Sequence, residues 1–149
     1  MKTFKSKLKE MSAIYQIDRN VPNIKVTQSS IVNDYLRQVY PVDINDREAM
    51  IVLYLNNSNR TLGYSIASIG GLTGTLVDVR LVLRDALLSR STAIILCHNH
   101  PSGSLKPSQA DILITNKLKK AAEVMDLKLL DHLILTEESY FSFADDGML

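Results

Sequence analysis

Cysteine is almost missing from this chain, which holds one, Cys97. A single thiol excludes an internal disulfide and any zinc site built from several cysteines, and it fits a reducing cytosol. Long apolar runs are missing too. No stretch approaches the ~20 apolar residues of a membrane span. The lysine-led N-terminus lacks an apolar signal core, so a cytoplasmic protein with no membrane contact is expected. There is no internal repeat, no low-complexity segment and no linker rich in Pro, Gly or Ser. Nor is there an excess of one charge. The formal net charge is +1, so bulk charge argues neither for nor against nucleic acid. Lys2, Lys5, Lys7 and Lys9 make a short basic run, read as a solvated terminus ahead of a nucleic-acid arm.

What is present suits one soluble domain: 149 residues, 46% apolar and 22% charged. Residues 1–24 are weakly patterned, with a short strand possible over "SAIYQID", and are set apart as an N-terminal extension. "SSIVNDYLRQVY" predicts a helix capped by Ser29 or Ser30 and stopped by Pro41. Two apolar runs, 49–55 and 62–69, flank the turn chemistry of "NNSNR" and predict a β-hairpin. "TLVDVRLVLRDALLSR" suits a largely buried helix. "STAIILC" reads as an interior strand and "SQADILITNKLKKAAEVMD" as a helix. "LKLLDHLILTEE" reads as a strand, and "YFSFADDGML" as an edge strand or tail. A hairpin feeding strand–helix crossovers implies one α/β (α+β) domain over 25–149, a mixed sheet packed by helices.

Chemistry concentrates in "CHNHPSGSLKPSQAD", residues 97–111. Strand residues i and i+2 share a face. If the strand runs on to His100, His98 and His100 project together and can share one metal. Asp111 follows in the first turn of a helix, and a His₂–carboxylate set leaves a fourth position open. Plainer readings stand beside this one. Ser108-x-x-Asp111 matches a helix capping box. Two loop histidines can be satisfied by backbone carbonyls. Cys97 matches no ligand position and reads as a small core residue. His132 reads as a core-edge or capping histidine, or as a partner to the metal site, with Asp131 in a similar but weaker role. Ser102 and Gly103 shape the turn, and Ser102 could touch substrate.

His-x-His-Pro, the stretch from 101 to 107, then Ser-x-x-Asp together resemble the JAMM motif of JAB/MPN-domain zinc hydrolases. "LCHNHPSG", "LLDHLIL", "REAMIVLYLNNSNR" and "GGLTGTLVDVRLVLRDALL" are similar to the RadC branch, over roughly residues 25 to 145. The resemblance implies a JAB/MPN, cytidine deaminase-like architecture. It implies Zn²⁺ held by His98, His100 and Asp111, with water in the fourth position. It also implies that Ser108 donates to a developing oxyanion and that an upstream glutamate is the general base. Among the five glutamates only Glu48 stands upstream at the start of an apolar strand, so the role is carried to it; its plain reading is a solvated charge beside Arg47.

The implied activity is metal-activated hydrolysis of peptide or isopeptide amide bonds in a peptide or protein substrate. RadC proteins also carry a helical, helix-hairpin-helix-like region before this domain, and only some 25 residues precede it here, so a short form or an excised domain is expected. The branch's label as a DNA repair protein is a name rather than a deduction. Three alternatives remain: a non-catalytic MPN-type scaffold, a DNA-associated metal hydrolase, and a zinc deaminase, the last disfavoured by the single cysteine. Lys106, Lys117, Lys119 and Lys120 leave weak room for nucleic acid, and an exposed sheet edge leaves room for a homo-oligomer.

Overall fold

The fold, taken from a computed structural model, is described for residue 20, residues 22–70 and residues 77–149. The possible strand over "SAIYQID", the N-terminal lysines and residues 71–76 lie outside the described residues. The elements follow the order α1 (Ser29–Val39), β1 (Ala49–Leu55), β2 (Thr61–Ile69), α2 (Val79–Leu88), β3 (Ala93–Asn99), α3 (Gln109–Val124), β4 (Lys128–Leu135) and β5 (Tyr140–Ser142). They build one five-stranded sheet in the order β2-β1-β3-β4-β5. The β1, β2 and β5 pairings are antiparallel, and β3 with β4 is parallel. α3 makes the crossover that a parallel pair requires.

Every residue of β1 and of β3 is buried. The reason is a layer on each side. Ile51, Leu53, Ile95 and Leu133 face α1 through Val32 and Leu36. Met50, Val52, Ile94 and Leu96 face α2 and α3 through Val82 and Leu118. Strands covered on both faces lose the polar alternation that edge strands keep. β2, on the edge, alternates in burial.

The hairpin turn forms as its residues predict. The Asn56 side chain accepts the amides of Ser58 and Arg60 at 2.9 and 3.0 Å, and Asn59 takes a positive φ of 56°, which asparagine tolerates.

Two expectations need correction. α1 is not capped by Ser29 or Ser30: Gln28 is the N-cap and makes no side-chain cap bond. The Ser29 hydroxyl meets the Tyr140 hydroxyl at 2.9 Å and Asp145 Oδ2 at 2.5 Å, so tertiary partners take it from the helix end. Nor is α2 largely buried. Val79, Val82 and Ala86 are covered, whereas Leu81, Leu87 and Leu88 stay 45–51% exposed. α2 packs by one face only.

Candidate metal centre

The sheet delivers two histidines to one spot. His98 is the penultimate residue of β3 and is fully buried. His100 lies just past the strand, yet its amide donates to the Leu135 carbonyl at 2.8 Å, so the parallel ladder runs one step further. The i, i+2 spacing therefore holds. The two Nε2 atoms stand 2.9 Å apart, with ring centroids 4.7 Å apart. Gly103, at φ +78°, donates its amide to the His100 carbonyl at 3.0 Å and turns the chain away. Nothing lies within 4 Å of a Cβ built there, so the backbone angle is what requires glycine.

α3 supplies the third group. Ser108 Oγ accepts the Asp111 amide at 3.1 Å, and Asp111 Oδ2 accepts the Ser108 amide at 2.7 Å. The capping box is present, and it aims the same carboxylate at the histidines. Asp111 Oδ1 is 3.1 Å from His98 Nε2, and Oδ2 is 3.4 Å from His100 Nε2. The helix cap and the metal geometry coexist, because a capped first turn fixes the rotamer of its acidic residue. Among the described residues His98, His100 and Asp111 form a group able to hold a metal ion, their candidate ligand atoms all within 4.8 Å of one another.

Burial opposes ionisation of Asp111, but the hydrogen bonds of His100 and His98 outweigh it, and the carboxyl is held well below its usual range. The same hydrogen bond to Asp111 lifts His100 above its ordinary value, with a smaller push from the charge of Glu48. His100 Nδ1 lies 2.7 Å from the Ser104 carbonyl. A carbonyl only accepts, so Nδ1 donates there, and Nε2 is the nitrogen turned to the centre, where it donates to Asp111 until a cation replaces that proton.

Glu48 sits one residue before β1 and is half-buried. Met50 is the register partner of His98. Carrying that antiparallel register two residues further sets Glu48 opposite His100, on the same face of the sheet. The Glu48 carbonyl accepts the Gly70 amide at 2.8 Å, so this residue is tied down.

The remaining candidates sort clearly. Cys97 is fully buried in the α1-side core, opposite in face to His98 as strand alternation requires. His132 departs from its plainer reading. It is fully buried, with Nε2 at 2.8 Å from His98 Nδ1 and Nδ1 at 2.6 Å from Thr115 Oγ1. Asp131 points elsewhere: it accepts from the Ser142 hydroxyl at 2.6 Å and the Ala144 amide at 3.0 Å, which pins β5 and the turn after it. Ser102 and Gly103 line an open cleft of about 250 Å³ with Pro101, Thr136, Glu137 and Glu138. Lys106, Lys117 and Lys120 are exposed, and Lys119 is half-buried.

Sequence reading missed Thr115 and Asn99. Thr115 stands four residues after Asp111, on the same helix face, and that periodicity was the available signal.

The family model for the RadC-like JAB domain matches residues 26–148. This chain belongs to that family. It is 55% identical to a UPF0758 protein of Flavobacterium johnsoniae over 101 residues, 68% of this chain and 44% of that one. It is 38% identical to a UPF0758 protein of Porphyromonas gingivalis, over 92% of this chain and 63% of the relative. A UPF0758 protein of Chlorobaculum parvum is 33% identical over 97% of this chain and 66% of its own length. The chain thus spans between 44% and 66% of these relatives. A mixed sheet with helices on both faces is the JAB fold that the family carries. Among the described residues no helix is long and apolar enough to cross a membrane.

Proposed function

We propose that this RadC-like JAB domain is a zinc-dependent hydrolase of the JAMM type, cleaving peptide or isopeptide amide bonds in a peptide or protein substrate. One observation carries the reading: two imidazole Nε2 atoms and one carboxylate meet at 2.9, 3.1 and 3.4 Å. Each Nε2 offers a lone pair once its proton is displaced, and the carboxylate only accepts. Acceptors gathered this closely repel one another unless a proton or a cation lies among them. Two imidazoles and a carboxylate fit zinc, with one position of a four-coordinate ion left over. Magnesium and calcium prefer all-oxygen sets.

Zinc bound there supplies Lewis acidity, which polarises a carbonyl and makes water nucleophilic near neutral pH. The chain's own groups do the rest. Glu48, opposite His100, accepts the proton of the attacking water and passes it to the leaving nitrogen. Ser108 uses a lone pair in its capping bond, which leaves its hydroxyl proton to donate to the carbonyl oxygen as charge develops there. Ser104, through its carbonyl, keeps the His100 ring turned toward the centre. The single buried Cys97 suits a reducing cytoplasm.

The test is metal content of the purified protein and of Asp111→Ala, by mass spectrometry, alongside a peptide and isopeptide cleavage screen. The wild type should carry one zinc and the variant almost none. A variant that keeps full stoichiometry would remove Asp111 from the site and the hydrolase reading with it.

A further inference from the structure

Three fully buried side chains stand in line behind the centre: Thr115, His132 and His98, exposed by 1%, 0% and 0%. We propose that Thr115 and His132 are positioning residues that fix the tautomer of His98, so that its Nε2 is always the metal-ready atom. This rests on the metal reading above, and its first part stands without it.

The polarity of the line follows from counting protons. Thr115 Oγ1 donates to the Asp111 carbonyl at 2.5 Å, the back-bond that helical threonines make to residue i−4. A hydroxyl has one proton. At its 2.6 Å contact with His132 Nδ1, Thr115 must therefore accept, and Nδ1 is the protonated nitrogen of His132. Full burial disfavours a second proton on that imidazole. Its Nε2 is then an acceptor. The partner 2.8 Å away, His98 Nδ1, must donate. His98 Nδ1 thus carries a proton, which leaves Nε2, the nitrogen facing Asp111 and His100, as the one a metal would take.

His100 reaches the same tautomer by a shorter route, through one backbone carbonyl. His98 has no such carbonyl partner on its Nδ1 and relies on a relay from α3 through β4. Both ends of the relay converge on one helical turn. Thr115 is hydrogen-bonded to the backbone of Asp111, whose carboxylate is the third partner of the centre. One turn of α3 thus sets the third ligand and the proton position of the first.

The deciding variant is Thr115→Val, which keeps the shape and removes the hydroxyl. His132 Nδ1–H would then lack an acceptor. The lower-energy arrangement moves the His132 proton to Nε2, which forces His98 to accept on Nδ1 and to carry its own proton on Nε2, the ligating atom. Groups that orient metal ligands typically change affinity by ~10–100-fold.

The experiment has two arms on the full chain. In metal-stripped wild type, the imidazole ¹⁵N spectrum should show His98 Nδ1 protonated, and Thr115→Val should deprotonate it in favour of Nε2–H. By competition with a chromophoric chelator, Thr115→Val should bind Zn²⁺ ~10–100-fold more weakly, while Thr115→Ser stays near wild type. A wild-type His98 with an unprotonated Nδ1 overturns the proposal, and so does Thr115→Val with unchanged Nδ1 protonation and unchanged affinity. The spectra of the wild type decide the matter even if the valine variant fails to fold. A wild type that binds no zinc would instead sink the metal reading, and the nitrogen spectra would still report on the relay.

Discussion

The side-chain oxygen of Asn99 accepts the backbone amide of Ala49 at 2.8 Å. The same oxygen accepts the Tyr40 hydroxyl at 2.8 Å, and the amide nitrogen donates to the carbonyls of Ile44 and Arg47 at 2.8 and 3.0 Å. The residue between the two histidines thus grips both chain neighbours of Glu48. Every hydrogen-bonding site it uses is filled inside the protein, where an unfilled one is costly.

Asn99→Ala should therefore destabilise the fold by ~3 kcal/mol, because several buried partners lose their bonds at once. Urea unfolding measures it. Asn99→Asp should also be poor, since a carboxylate cannot donate to Ile44 and Arg47. A loss below ~1 kcal/mol for the alanine variant would show that the 44–48 loop holds without this clamp.

Glu48→Gln should leave zinc content unchanged and lower amide hydrolysis by ~100-fold or more, the scale of a lost general base. Metal analysis and turnover on a substrate from the cleavage screen check both halves. Equal turnover in the two proteins would take the proton-transfer role from Glu48.

The metal-free protein should show opposing pH limbs. The hydrogen bond to Asp111 lifts His100 above 6.5. A base raised on folding gives stability that is complete below 6.5 and lost as pH climbs through its folded value. Burial pushes His132 well below 6.5, so the fold loses stability as pH falls from 6.5 toward that lower value. Urea midpoints of stripped protein from about pH 5 to 9 should peak near neutrality. His100→Gln should flatten the alkaline limb, and an unaltered slope there would discount the His100–Asp111 bond. Zinc affinity has its own direction: it should weaken with acid, since protons compete for the ligands.

Cys97 should be silent toward thiol reagents in the native state. It is fully enclosed, and burial pushes its thiol well above the ordinary value. A disulfide-exchange dye should titrate no thiol in buffer and one in strong urea. Rapid native labelling would contradict the packing of β3.

Local signals in the sequence sufficed for much of this. The turn residues of "NNSNR", the capping box at Ser108 and the apolar run of β3 each act within a few residues of themselves, and each formed where it was read. The His-x-His spacing and Asp111 were legible for the same reason, since strand alternation and a helix start define where such side chains go. What was hidden depends on distant partners. His132, offered from sequence as a partner to the metal site only beside a plainer reading, reaches His98 across 34 positions, and Asn99 reaches Ile44 across 55. Ser29 lost its capping role to Tyr140, 111 positions away. α2 shows the limit of periodicity: apolar spacing marks a helix but does not say that Leu81 and Leu87 would be left uncovered.

The parallel pairing of β3 with β4 has a consequence for assembly. Because α3 must cross over before those strands can lie side by side, the two imidazoles and Asp111 are expected to come together late in folding. A loose chain would offer no matching grip, so a metal bound here should be captured late and should not nucleate the architecture, in contrast to a zinc finger. Saturating zinc should then act as a latch on a finished object, slowing its opening more than hastening its birth.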